Sequence, residues 1–286
     1  MLSRREFHRL AVSAVPVSLS AAKLDSKIDG VQIGVQSYSF RDMPLDAAIK
    51  GMVEIGLSEC ELWQGHIEPQ GVPRAELQKW RTTVSMDVFK GVKTKFDDAG
   101  IKLYAYNYSF RNDFTDEEMA RGFEMAKALG VSCLTASSTV PIAKRIDGFA
   151  SKAKIVVGMH NHSRMTPGEF ATPQSFLDAM AGNSKYIGIN LDIGHFTAAN
   201  FDAVAFLKKH HKRIVTLHIK DRKKNQGDNL PFGEGETPIK EVLQTLRQNR
   251  YQIPANIEYE YGGPGKRLDT LAEVKKCFAY CKNALG

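Results

Sequence analysis

Residues 154–195 read KIVVGMHNHSRMTPGEFATPQSFLDAMAGNSKYIGINLDIGH. An apolar run over 154–159, rich in β-branched residues, stops at His160-Asn161-His162. Residues 173–181 then show helical spacing and begin on a proline, which suits a first helical turn because its missing N–H would have no partner there. A second apolar run, 186–191, stops at Asp192-Ile193-Gly194-His195. The unit is strand, polar rim, helix, strand, polar rim.

The same beat repeats outward in both directions. Strands are expected at 31–36, 58–62, 101–106, 131–136, 154–159, 186–191, 213–218 and 253–258. Helices are expected at 44–55, 73–98, 116–129, 142–151, 173–181, 200–209, 238–248 and 268–283. Gly130 supplies a stop signal for the third of these helices. Eight strand-helix units with short turns predict an α/β protein with one closed (β/α)8 barrel over residues 23–286. The chain of 286 residues is of the length such a barrel needs, roughly 250. An open doubly wound sheet is the alternative, and it is disfavoured because no Gly-rich phosphate loop follows any strand.

Residues 1–22 read as a leader. Ser3-Arg4-Arg5-Glu6-Phe7 resembles a twin-arginine export motif, and a short, weakly apolar stretch with small residues at Ser20 and Ala22 follows it. The expectation is a periplasmic or otherwise exported protein carried by the twin-arginine machinery. A basic amphipathic helix is the other reading of this segment. The formal net charge is +7, of which Arg4, Arg5 and Arg9 against Glu6 contribute +2. The remaining basic residues are scattered, with one cluster at Lys220, Arg222, Lys223 and Lys224. No basic-aromatic stripe marks a nucleic-acid groove. Cys60, Cys133, Cys277 and Cys281 lack metal-binding spacing, and no disulfide is required.

In a barrel of this kind functional residues gather at the carboxyl ends of the strands. Strands five to eight end in His160-Asn161-His162, Asp192-Ile193-Gly194-His195, His218-Ile219-Lys220-Asp221 and Glu258-Tyr259-Glu260. Each therefore delivers a potential ligand to one rim. His160, Asp192, His218 and Glu258 are expected to hold one divalent ion: manganese, cobalt, zinc, iron or magnesium, with the imidazoles favouring the first four. Taken singly, each of these residues is as readily a hydrogen-bonded core polar group; together they point to a metal.

The frame and the stretch 160–260 resemble the xylose-isomerase-like barrel superfamily of sugar phosphate isomerases and epimerases, over nearly all of residues 31–286. The most specific pieces are Asn190 to His195, His218 to Asp221, the Gly233-Glu234-Gly235 turn and Ile257 to Glu260. In many such proteins a strand-five glutamate, a strand-six aspartate, a strand-seven histidine and a strand-eight glutamate hold the metal. The resemblance implies those roles for Asp192, His218 and Glu258. His160 stands where those members carry the glutamate of Glu-Asn-His, so the opposed pair of carboxylates that serves their epimerases is broken here.

Catalytic roles are expected for Glu258, Glu260, His160 and Lys220. If the last strand continues, Glu258 and Glu260 share a face, which leaves Glu260 as the acid/base beside a ligating Glu258. Lys220 either stabilises an enolate oxygen or pairs with Asp221. Gln36, Tyr38, Glu61, Asn107, His162 and His195 are expected to meet substrate hydroxyls, with Trp63 as a stacking face. The expected function is metal-dependent sugar isomerisation or epimerisation by proton abstraction next to a carbonyl. The alternatives are a lyase or hydratase acting on keto-sugars or keto-glycosides, and a non-catalytic carbohydrate-binding barrel. The expected partner is a small carbohydrate, not a nucleic acid.

Overall fold

A ring of parallel strands forms because each apolar run is followed by a helix that carries the chain back to the starting end. The computed structural model describes residues 24–262 and 268–286; the expected leader, 1–22, lies outside the described residues. The barrel strands are β1 (Val31–Gln36), β2 (Glu59–Trp63), β3 (Lys102–Asn107), β4 (Cys133–Ala136), β5 (Val156–His160), β6 (Ile187–Asp192), β7 (Ile214–Ile219) and β8 (Ala255–Ile257). Each pairs in parallel with its neighbours in the chain, and β1 pairs with both β2 and β8, which closes the ring. The single closed (β/α)8 barrel expected from the sequence is the fold observed.

Around it lie α1 (Leu45–Ile55), α2 (Arg74–Thr83), α3 (Met86–Asp98), α4 (Asp116–Ala128), α5 (Ala143–Ala153), α6 (Pro173–Met180), α7 (Ile193–Ala198), α8 (Ala203–His210), α9 (Ile239–Asn249) and α10 (Thr270–Leu285). The expected helix over 73–98 is two helices. Val84 and Ser85 are extended, and the Ser85 hydroxyl caps α3 by accepting the Asp87 N–H. The extra helix α7 starts directly at the end of β6, where Asp192 serves as its cap. Strand β8 is shorter than expected, so Glu258 and Glu260 stand beyond its last paired residue.

Side-chain alternation gives the lumen its character. Asn256 Nδ2 donates to Thr216 Oγ1 at 2.8 Å, and a Cβ on Gly34 would fall 2.2 Å from Asn256 Oδ1. Two residues further along the same three strands come Gln36, His218 and Glu258, at the rim. The wider apolar core lies between strands and helices and includes Ile33, Val35, Leu191, Phe196, Leu217 and Val242.

A buried ion cluster pins the rim loops after β2 and β3. Arg81 of α2 donates from Nε and Nη2 to Glu68 Oε1 and Oε2 at 2.8 and 2.7 Å. Its Nη1 lies 3.6 Å from Glu118 Oε1, and Arg74 Nη2 is 2.7 Å from Glu118 Oε2. The Arg81 guanidinium also stacks 4.5 Å over the Phe114 ring. Glu68 in turn accepts from Gln64 Nε2 at 2.8 Å, and Gln64 Oε1 accepts the Ser109 N–H at 2.8 Å. Replacing Arg81 with alanine strands the buried Glu68 carboxylate and leaves Glu118 to Arg74 alone. Urea denaturation is expected to show a loss of about 3–5 kcal/mol, with Arg81→Lys losing less; a loss within experimental error for Arg81→Ala would show that the cluster does not anchor these loops.

Candidate active site

The rim residues of β5 to β8 converge. One ligand atom from each of His160, Asp192, His218 and Glu258 lies within 4.8 Å of every other, and all four residues are buried. His160 Nε2, Asp192 Oδ2, His218 Nδ1 and Glu258 Oε2 are buried atoms that complete no well-aligned hydrogen bond, the two carboxylate oxygens facing Lys220 Nζ at 3.1 and 2.9 Å. Two imidazoles and two carboxylates gathered in this way make a donor set that fits a divalent cation.

The opposite atom of three of these residues is held by the barrel. His218 Nε2 faces Glu61 Oε2 at 3.0 Å across the lumen, which directs Nδ1 to the cluster. Glu61 is itself fixed by Gln36 Nε2 at 2.7 Å and Thr135 Oγ1 at 2.6 Å. His160 Nδ1 lies 3.4 Å from Ser137 Oγ. Asp192 Oδ1 accepts the His195 N–H at 2.6 Å, the N-cap bond of α7. Asn161 exchanges two hydrogen bonds with the Asp192 backbone at 2.9 and 3.0 Å, tying the end of β5 to the end of β6. A Cβ on Gly194 would come 2.7 Å from the Lys220 carbonyl oxygen, so this turn of α7 needs glycine.

Lys220 is the cation at this cluster. Its buried Nζ is 3.1 Å from Asp192 Oδ2, 2.9 Å from Glu258 Oε2 and 2.5 Å from Glu260 Oε2. Burial works against the ammonium, but Asp192, Glu258 and Glu260 hold its pKa well above the usual lysine range. Burial also works against the carboxylates. His195 and Lys220 nevertheless hold Asp192, and Lys220 and His218 hold Glu258, well below the usual carboxylate range. For His218 burial favours the neutral ring, yet Glu61 and Glu258 push its pKa well up. Asp221 does not pair with Lys220; it accepts N–H bonds from Gly233, Gly235 and Thr237 at 2.8, 3.0 and 3.1 Å and so fixes the turn that follows.

A cavity of about 510 Å³ opens on the cluster. Its lining includes His160, His218, Glu258 and Glu260, together with Gln36, Tyr38, Asn107 and His162. Trp63 lines it as well and meets the Tyr38 ring edge-on at 5.1 Å, giving an apolar wall. Three expected residues are placed elsewhere. Glu61 is fully buried beneath His218, where its carboxylate is spent on protein partners. Lys220 does not line the cavity and meets it only through Glu258 and Glu260. His195 lines a neighbouring cavity, its ring held between Arg222 Nη1 at 2.7 Å and Lys220 Nζ at 3.2 Å. Burial, with Lys220 beside it, outweighs Asp192 and pushes the His195 pKa well down.

The sequence reading did not single out Asn161, Ser137, Glu169 or the 109–112 loop. Ser109, Arg111 and Asn112 line the far wall of the cavity, and Glu169 joins them there. Asn161, in the middle of His160-Asn161-His162, carried a signal in its position between two rim histidines. Glu169 and the 109–112 loop carried none, because a loop residue has no period to reveal which way it points.

A family model described as xylose isomerase-like TIM barrel matches residues 54–279. Over 76 residues the chain is 34% identical to the L-ribulose-5-phosphate 3-epimerase UlaE of Escherichia coli. That stretch is 27% of each chain, so the match spans about a quarter of the curated relative. Among solved structures, the apo 3-keto-D-glucoside 4-epimerase YcjR of E. coli superposes with a TM-score of 0.64 at 14% identity, over 88% of this chain and 99% of that one. IolI protein with a bound zinc atom superposes with a TM-score of 0.62 at 16% identity, over 89% and 96%. At such identities the two structures speak for the fold alone. The closed barrel, the four-residue rim cluster and the match over residues 54–279 together mean that this chain belongs to the xylose isomerase-like TIM barrel family.

Proposed function

We propose that the protein is a metal-dependent isomerase or epimerase of carbohydrates that works by proton abstraction next to a carbonyl. The observation that carries this reading is the convergence of two imidazoles and two carboxylates within 4.8 Å of one another, three of them lining a cavity with an aromatic wall. His160, Asp192, His218 and Glu258 are the assigned ligands. A divalent ion held there polarises a substrate carbonyl and its neighbouring hydroxyl and acidifies the C–H bond beside them. The family supports the reading, as do an epimerase among the relatives and a zinc-bound structure among the neighbours.

The chain's own groups then divide the work. Glu260 lines the cavity, contacts Lys220 and is not among the four ligands, so we assign it as the base that takes the proton. Lys220 orients Glu258 and Glu260 from behind and keeps three carboxylates from repelling one another. Gln36, Asn107 and His162 are assigned to substrate hydroxyls, and Tyr38 and Trp63 to the apolar face of the sugar ring. Return of the proton to the neighbouring carbon gives isomerisation, and return from the other face gives epimerisation. The second reading is a lyase or hydratase on keto-sugars. It is favoured by His160, since no glutamate of β5 stands opposite Glu258 to return a proton to the other face.

Three outcomes test these assignments. Reconstitution with manganese or zinc, followed by elemental analysis, is expected to find one ion per chain, with ligand distances near about 2.0–2.3 Å in a crystal structure. Asp192→Ala and His218→Ala should each abolish it, and unchanged metal content would remove the ligand assignment. Glu260→Gln should retain the metal while deuterium exchange from solvent into ketoses or 3-keto-glycosides falls by about 100-fold or more. Exchange at the parent rate would move the base to Glu258 or His160. For export, which we assign to Arg4-Arg5, changing both to lysine should leave the precursor inside the cell; its normal appearance outside would refute the twin-arginine route.

A further inference from the structure

The cavity at the ligand cluster does not end at His162 and Glu169. Both residues also line a second cavity of about 730 Å³, whose other walls are Ser163, Arg164, Met165, His195 and Gln226. Each cavity by itself falls within the range of about 300–1,000 Å³ that holds a small ligand. The proton-transfer chemistry proposed above uses only the first.

The second cavity is built rather than incidental. Arg222 donates to Ser163 Oγ at 2.9 Å and contacts His195 Nδ1 at 2.7 Å, and Gln226 Nε2 donates to the Ser163 carbonyl at 2.8 Å. These bonds tie the loop after β5 to the residues after β7 and set the wall in place. On the opposite side Met165 is 56% exposed, the most exposed large hydrophobic side chain among the described residues. An unbranched thioether left in water beside a polar cleft is an adaptable apolar contact. This wall carries one guanidinium, Arg164, and one carboxylate, Glu169. Glu169 also lies on the wall of the first cavity, with its backbone bridged to Thr139, so a carboxylate occupies the ridge where a phosphate would have to pass.

We propose that the second cavity is a subsite for the second ring of a neutral glycoside. The substrate is then a two-ring compound, a disaccharide or an aryl glycoside. Its reacting ring lies over the ligand cluster and its outer ring lies between Met165 and His195. Glu169 accepts hydroxyl hydrogen bonds at the junction of the two rings, and Arg164 donates to the outer one. This rests on the carbohydrate reading above and extends it to the class of substrate.

Titration calorimetry on the manganese-loaded full chain compares matched series. The one-ring series is the methyl glycosides of glucose, galactose and xylose. The two-ring series is cellobiose, lactose, xylobiose and the corresponding phenyl glycosides, with glucose 6-phosphate as the anionic comparison. At least one two-ring ligand is expected to bind about tenfold or more tightly than its one-ring counterpart, equivalent to about 1.4 kcal/mol. Met165→Ala and Glu169→Gln, tested separately, should each bring that ratio back toward one. Equal affinities for the two series, no binding by either, or tightest binding of glucose 6-phosphate would overturn the subsite. Metal content and deuterium exchange report independently on the catalytic reading. A protein that holds metal and exchanges small ketoses while showing a ratio of one would lose only the subsite. A protein with the expected ratio but no metal would lose only the chemistry.

Discussion

Three carboxylates gather on one buried ammonium at the mouth of this barrel, and the geometry of the site follows from that. Asp192, Glu258 and Glu260 come from the ends of β6 and β8, and each reaches Lys220 Nζ within 3.1 Å. Bringing such charges out of water is costly unless they are paired and further hydrogen-bonded. The pairing is supplied by a lysine two residues beyond His218, and a further bond to the Asp192 carboxylate by the His195 N–H. Lys220 therefore acts as a strut: it holds Asp192, Glu258 and Glu260 together without lining the cavity itself.

Around that strut the ligands are oriented from behind. Glu61 crosses the lumen to His218 and is anchored by Gln36 and Thr135, so a chain of hydrogen bonds runs from β1 and β4 through β2 to β7. His160 depends on a single longer contact with Ser137. This is the position where related barrels are expected to carry a glutamate. An imidazole here in place of a carboxylate removes one negative charge from a cluster that already carries Lys220.

The rim has its own support. The ion cluster of Arg81, Glu68 and Glu118 lies behind the first cavity wall, and Gln64 transmits it to the backbone of Ser109. Arg222 does the corresponding work for the second cavity through Ser163 and His195. A (β/α)8 barrel separates its stable frame from its variable loops. In this chain the loops that define the cleft are tied down by Arg81 and Arg222, so its shape is largely in place before a ligand arrives.

The alternation of apolar runs and helical spacing was enough to determine the barrel, because both periods are local properties of the chain. It also determined which residues stand at the rim: His160, Asp192, His218 and Glu258 each end an apolar run. Period two brought Glu258 and Glu260 to the same side, although the paired strand ends at Ile257. The break at Val84 and Ser85 was less legible, since a helical pattern continues across it and only the serine cap marks the new start. Tertiary structure alone decided what the rim residues touch. Glu61 meets His218 across 157 positions of sequence, and closure of the ring, not local period, brings them within 3.0 Å. The direction of Lys220 toward Glu258 and Glu260, and the continuation of the cleft past His162 toward Met165, were decided in the same way. Each arises where strands or loops distant in the chain close around one axis, and a sequence period carries no record of that closure.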